Sequence, residues 1–439
     1  MFHRLKSRIP GAWLLPYHRA LSWLAAAMYG HPSEKLIVIG VTGTNGKTTT
    51  TYFTANALEA SGSPTGCTST AVFKVGDREW LNDTKMTMVG RFALQRLLRG
   101  MVDAGCLFAV IETSSQGIVQ HRHANINYDL MVFTNLTPEH IEAHGGFEKY
   151  KQAKLDAFRH TARSPRKVFN GKTIQKVAVL NARDASSAAF ALPEFDRIFW
   201  YGTDGTAGAD LVATGIRLED RSAAFDVRGI PATIRMPGRV NVENALAALS
   251  VCEILGVPLA AAASALSEIE RVPGRFERIE EGQPWTVIVD YAPEPESLER
   301  LYDTLSSVSR NRLIHVLGSA GGGRDVARRP IIGRMAGERA DVVIVTNEDP
   351  YDDDPRRIME QVADGAREVG NIDGQNLFII EDRRDAIREA MRRAAPGDLV
   401  LLTGKGSEQA ICVAGGRKIP WDEREEARKA IREVVGGRS

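Results

Sequence analysis

The amino-acid sequence predicts an α/β protein of two units: a central phosphate-loop domain with a mostly parallel sheet, then a second, doubly wound α/β domain. Three observations carry that expectation. The apolar run Leu36–Ile39 enters a glycine turn, "GVTGTNGKTTT" (residues 40–50), and a helical stretch follows. Apolar runs such as "LFAVIETSS" and "YDLMVFTNL" finish in polar residues, which suits a parallel sheet with ligands beyond the carboxyl ends of its strands. Across "RVPGRFERIEEGQP" (271–284) the composition shifts to turn formers and charge, and strand–helix alternation then starts again.

At 439 residues, 43% hydrophobic and 25% charged, the chain is too long for one ordinary core. Its formal net charge of +1 argues against a protein whose main task is holding nucleic acid. Cys67, Cys106, Cys252 and Cys412 are scattered without a C-x-x-C pair. Buried thiols in a reducing cytosol are therefore expected, rather than zinc or a disulfide framework.

Residues 1–34 read as a short N-terminal helical segment. "GAWLLPYHRALSWLAAAMYG" (11–30) is apolar, but Pro16, His18 and Arg19 near its middle argue against a membrane span. No cleavage pattern of a signal peptide follows it. The expectation is a helix packed on the first domain of a cytoplasmic protein. The alternative is weak contact with a membrane surface, with Trp13, Trp23 and Tyr29 at the interface.

Residues 35–273 read as the central domain. "KLIVIGVTG" is its first strand, and "KTTTTYFTANALEASG" a helix stopped at Gly62. "KVAVLNARD", "RIFWYGTDG" and "AAFDVRG" continue the strand pattern, and "NVENALAALSVCEILG" is a helix with a glycine stop. Residues 274–439 form the second domain, with strand-to-loop transitions at "WTVIVDYA", "RLIHVLGSAGGG", "ADVVIVTNEDP", "NLFIIED" and "DLVLLTGKG".

In "GTNGKT" the glycines let backbone N–H groups approach phosphate at a helix N-terminus. Lys47 would reach the β- and γ-phosphates, and the Thr48 hydroxyl would join Mg²⁺. The loop thus predicts a bound nucleotide phosphate, held by Gly43, Thr44, Asn45, Gly46, Lys47, Thr48 and Thr49. Glu112 ends an apolar strand, where its carboxylate would share Mg²⁺ with Thr48; the competing reading is an acid favoured by a helix dipole. Arg324 and Arg328 lie among glycines and suit phosphate contact from the far domain, against the plainer reading of a solvated basic loop.

The variant loop G-x-x-G-T-N-G-K-T-T resembles that of the Mur ligases, ATP-dependent amide-bond-forming enzymes of cell-wall precursor synthesis. "ETSSQGIVQHR", "TNLTPEHIEAHGGFEKYKQAK", "PGRVNVENALAAL", "VPGRFE", "VDYAPEP", "GGGRDVARRP", "NEDPYDDDP" and "TGKGSE" extend the resemblance in order to the C-terminus. They resemble the branch that adds a diamino acid to UDP-N-acetylmuramoyl-L-alanyl-D-glutamate. The resemblance implies a Rossmann-like C-terminal domain. It also implies metal roles for Glu112, His140 and Lys154, the last as a carbamylated lysine; on residues alone His140 reads as structural and Lys154 as a solvated helix lysine. It further implies an adenine contact at Asn244, supported by Asn241, nucleotide contacts at Arg275, and a ribose-side acid at Asp290. The family pattern D-Y-A-H carries Pro293 here in place of its histidine.

For the carboxylate substrate the resemblance implies Thr87, Ser114, Gln120 and Arg122, with Gln116 replacing a common histidine. For the amino acid it implies Glu348, Asp349, Tyr351, Gly404 and Glu408. Tyr351 stands where diaminopimelate-adding relatives carry an arginine, and "YDDDP" is closer to lysine-adding relatives. Only about forty residues precede the loop, so the family's N-terminal UDP-binding domain is expected to be largely absent.

The implied reaction transfers phosphate from ATP to a carboxylate, and an amine then attacks the acyl phosphate. The expected partners are a muramoyl-peptide nucleotide and a free, diamino-type amino acid, acted on by a monomer. A ligase for another γ-carboxylate chain, such as a folate polyglutamate or storage peptide, and a non-catalytic ATP-binding partner subunit are the alternatives.

Overall fold

The computed structural model describes residues 11–137, 145–323 and 326–437. Helix α1 (Gly11–Met28) lies first; Ala25 and Ala26 are fully buried, while Trp23, Leu24 and Met28 are exposed. Among the described residues no helix is long and apolar enough to cross a membrane.

The chain then alternates β1 (Ile37–Thr42), α2 (Lys47–Glu59), β2 (Thr65–Thr68), β3 (Val72–Val75), β4 (Arg78–Leu81), α3 (Arg91–Asp103), β5 (Phe108–Glu112), α4 (Ser115–Val119), β6 (Leu130–Phe133) and α5 (Phe147–Arg163). Next come β7 (Val177–Asn181), β8 (Arg197–Thr203), β9 (Leu211–Leu218), β10 (Ala223–Val227), β11 (Ile230–Ile234), α6 (Arg239–Ile254) and α7 (Leu259–Glu268). These strands form one sheet in the order β11-β10-β9-β8-β7-β6-β1-β5-β2-β3-β4. From β2 across to β9 the neighbours pair in parallel, and short antiparallel ribbons close both edges.

The central strands β1, β5, β6 and β7 are buried along their whole length, as continuous apolar runs require when helices cover both faces. Register matters more than composition here. Val41 pairs with Glu112 and Thr42 with Phe133, so the loop after β1, the end of β5 and the residues after β6 meet at one sheet edge. At the amino-terminal ends of these strands Asp129 is fully buried and receives two ammonium groups, Lys167 at 2.5 Å and Lys176 at 2.9 Å. The edge ribbon β2–β4 was not legible as strands, because each is four residues long and polar residues interrupt it. Helix α2 ends at Glu59, ahead of Gly62.

The second sheet comprises β12 (Glu277–Arg278), β13 (Thr286–Val289), β14 (Leu313–Leu317), β15 (Val342–Thr346), β16 (Leu377–Ile380) and β17 (Leu399–Leu402), in the order β12-β13-β17-β14-β15-β16. All but β12 run in parallel. Helices α8 (Pro295–Leu305), α9 (Arg328–Arg339), α10 (Pro355–Arg367), α11 (Arg383–Arg393) and α12 (Glu423–Gly437) accompany it. The four cysteines are free and buried.

Candidate active site

Between β1 and α2 the chain reverses through Gly43–Gly46. Gly43 has φ +154° and Gly46 φ +81°; a Cβ on Gly43 would sit 1.9 Å from Thr134 Oγ1, and one on Gly46 2.3 Å from Asn244 Oδ1. Only glycine fits both the backbone and the space. The loop carbonyls are held from behind: Lys154 Nζ donates to Gly43 O at 2.6 Å, and Thr134 Oγ1 to Asn45 O at 2.6 Å. Asn45 N donates to Asn135 Oδ1 at 2.9 Å, Thr44 N to Asn135 O at 2.8 Å, and the Thr44 hydroxyl lies 3.2 Å from that of Tyr150. Lys47 Nζ donates to Thr44 O at 2.5 Å. The first-turn amides of α2 have no acceptor within the helix, so this loop end is an anion-binding cradle.

Opposite that cradle stands Glu112, 1% exposed. Thr48 Oγ1 lies 3.1 Å from both of its carboxylate oxygens. Thr70 closes the other side, its N donating at 2.6 Å and its hydroxyl at 3.0 Å, and Thr87 lies 3.0 Å from the Thr70 hydroxyl. Arg275 reaches across to donate to Thr48 Oγ1 at 3.1 Å while its guanidinium stacks 4.6 Å over the Tyr291 ring. Thr70 was missed by sequence reasoning, since a lone threonine after a four-residue strand carries no signal.

Asn244, on α6, accepts from Thr50 Oγ1 at 3.1 Å and donates to Asn241 Oδ1 at 3.2 Å; Asn241 donates to Pro237 O. Asp290 accepts backbone N–H bonds from Phe276 at 2.7 Å and Ala292 at 2.9 Å. Burial pushes its carboxyl above the usual range, against the pull of Arg275. From α9, buried Arg328 ion-pairs with Glu294 and donates through Nε to Ser319, while its Nη2 has no partner among the described residues. Arg324 and His140 lie outside the described residues.

Ser114 caps α4 by accepting from Gly117 N at 3.2 Å. Arg122 donates to Met88 O and, at 2.8 Å, to Gln120 Oε1. On the second sheet, Asp349 accepts from Lys85 Nζ at 2.5 Å, Lys405 Nζ at 3.0 Å and Cys412 N at 2.7 Å. Glu408 lies 3.1 Å from Lys85 and 2.7 Å from Lys405. Burial raises the Asp349 carboxyl, but Lys405 and Lys85 outweigh it and hold it below the usual range. Burial pushes Glu348 up, with Arg328 opposing. Gly404 N donates to Tyr291 O at 2.8 Å, and Tyr351 adopts φ +51° against the 410–413 strand.

One cleft of about 550 Å³ joins many of these groups. Thr44–Thr49, Glu112, Thr87, Ser114, Arg122, Asn244, Arg275, Asp290, Arg328 and Glu408 line it, as do Thr70 and Lys85. Gly43 and Lys154 stand behind the loop, and Gln120, Glu348, Asp349, Tyr351 and Gly404 are outside the lining. Among the described residues no three His, Cys, Asp or Glu side chains cluster to hold a metal.

A family profile described as the Mur ligase middle domain matches residues 41–252, and one described as the Mur ligase glutamate ligase domain matches 274–406. The chain is 42% identical over 442 residues to a UDP-N-acetylmuramyl-tripeptide synthetase of Roseiflexus sp. (strain RS-1), covering 98% of this chain and 84% of that protein. It is 37% identical to the UDP-N-acetylmuramoyl-L-alanyl-D-glutamate–2,6-diaminopimelate ligase of Geobacillus kaustophilus (strain HTA426), over 97% of this chain and 85% of that one. A solved structure of a ligase of that second description superposes with TM-score 0.59 at 29% identity, over 91% and 79% of the two chains.

Proposed function

The chain belongs to the Mur ligase family, and we propose that it joins a free amino acid, of diamino type, to the terminal carboxylate of a UDP-muramoyl dipeptide. It is an ATP-dependent, ADP-forming amide ligase of peptidoglycan precursor synthesis. The observation that carries the proposal is the single cleft running from the phosphate cradle at Thr48 and Glu112 to the charged cluster at Lys85 and Glu408.

ATP supplies the phosphoryl group that activates the carboxylate for attack by the amine. The chain's own groups do the rest by position and charge. The loop amides and Lys47 hold phosphate oxygens, and the unpartnered Arg328 Nη2 suits another from the far side. The paired oxygens of Thr48 and Glu112 fit a hard cation, and they would hold Mg²⁺, whose charge would offset that of the phosphates. Thr87, Ser114 and Arg122 line the stretch that would receive the muramoyl carboxylate, and Gln120 orients Arg122. We assign His140, and Lys154 once carbamylated, to the metal side of the same centre; the bare Lys154 ammonium is drawn back behind the loop onto Gly43 O. The reading divides the chain into a nucleotide-binding part, 35–273, and an amino-acid-receiving part, 274–439.

The test is phosphate release by purified protein with ATP, Mg²⁺ and UDP-muramoyl dipeptide across a panel of amino acids. Release that depends on both dipeptide and amino acid supports the proposal. Tight ATP binding without release for any acceptor overturns it.

A further inference from the structure

Lys85 lies in the chain of the first sheet, in the segment between β4 and α3, yet its side chain ends among carboxylates of the second. Its φ of +57° is a conformation that side-chain-bearing residues seldom adopt, and its side chain is 6% exposed. The ammonium lies 2.5 Å from Asp349, 3.1 Å from Glu408 and 2.9 Å from Ala410 O. Lys405 meets the same two carboxylates from the loop after β17. The four side chains therefore carry two negative and two positive charges, and Glu348, buried beside them, is held above the usual carboxylate range by that burial. Behind this cluster, the Arg383–Glu423 and Arg328–Glu294 pairs each balance themselves.

Resting on the proposed amino-acid ligase activity, we infer that Lys85 sets the charge of the subsite receiving the far end of the incoming amino acid, and so selects a side chain whose end is net neutral. A zwitterionic end leaves the cluster balanced: its carboxylate meets Lys85 and its ammonium Glu408, the two members that line the cleft. A lone ammonium adds one uncompensated positive charge at a poorly solvated place, and a lone carboxylate one negative charge; either is costly there. Two acids alone would read as a site for a cation, and the acid-rich "YDDDP" reading pointed the same way. The lysine from the opposite sheet reverses that preference.

The test compares kcat/KM for meso-diaminopimelate, L-lysine and L-2-aminoadipate in the wild-type protein, in Lys85→Met and in Lys85→Arg. Wild-type protein should favour the zwitterionic end over lysine by at least about 10-fold, on the scale of one unbalanced charge. Lys85→Met should shift that ratio toward lysine by roughly 10- to 100-fold, mostly through KM for the amino acid, with KM for ATP unchanged. Lys85→Arg keeps the charge and should keep the ratio. A wild-type preference for lysine overturns the inference without any variant having to fold. An unshifted ratio in active Lys85→Met also overturns it, while the ligase reading stands. Absence of turnover with every amino acid removes the ligase reading and this inference with it.

Discussion

Arg275 donates to the hydroxyl of Thr48 at 3.1 Å, tying the segment that enters the second sheet to the first turn after the phosphate loop. Closure of the two sheets is thereby reported at the atom that faces Glu112.

Loss of either oxygen proposed to hold Mg²⁺ should remove turnover more than nucleotide. Thr48→Ala and Glu112→Gln should each lower kcat by about 10²- to 10³-fold, the scale for losing one preorganised charge-stabilising group. Arg275→Lys, which keeps the charge without the fork, should have a smaller effect. Steady-state phosphate release beside direct ATP titration checks this; equal loss in both would mean the groups only bind nucleotide.

Gly46→Ala should destabilise the protein by at least about 1–2 kcal/mol from the left-handed backbone alone. The clash with Asn244 Oδ1 adds to that, because the methyl group would lie 2.3 Å from it. The double variant with Asn244→Ala should recover the clash component but not the backbone one. Urea unfolding of the three variants separates the two.

Lys154 is 1% exposed and holds the Gly43 carbonyl. Lys154→Ala should abolish phosphate release, and wild-type activity should rise with added bicarbonate if a carbamate is needed. Full activity in the variant sinks the carbamate.

Acid should destabilise the second sheet through His315. Burial lowers its pKa to about 3, and its ring nitrogens lie 2.8 Å from Tyr302 OH and 2.9 Å from Thr403 Oγ1. The unfolded chain binds this proton near the ordinary histidine pKa of about 6.5, the native one does not. The stability it contributes is thus present above about pH 6.5 and lost as pH falls toward 3, by at most about 1.4 kcal/mol per pH unit. His315→Gln should flatten that part of the urea-midpoint profile; an unchanged slope would count against it.

Much of this was legible because it is local. The glycine turn, Lys47 and Thr48 are neighbours in the chain, and Glu112 stands at the end of a run whose apolar character already demanded a buried strand. The alternation of strands and helices followed from the same runs. What lay beyond reading depends on register and on how two sheets face each other. Thr70 reaches Glu112 only because a short ribbon pairs beside β5. Asp349 was expected at the amino-acid end, and nothing in its own stretch announces that its oxygens are met by Lys85, 264 residues away in sequence, and by Lys405. No local pattern counts a charge that arrives from another domain.

The grip on the loop carbonyls by Lys154, Thr134 and Asn135 has a thermodynamic consequence. The cradle takes its shape from protein contacts rather than from phosphate, so nucleotide entry need not order this backbone. Affinity for ATP is then spared a conformational penalty at the loop.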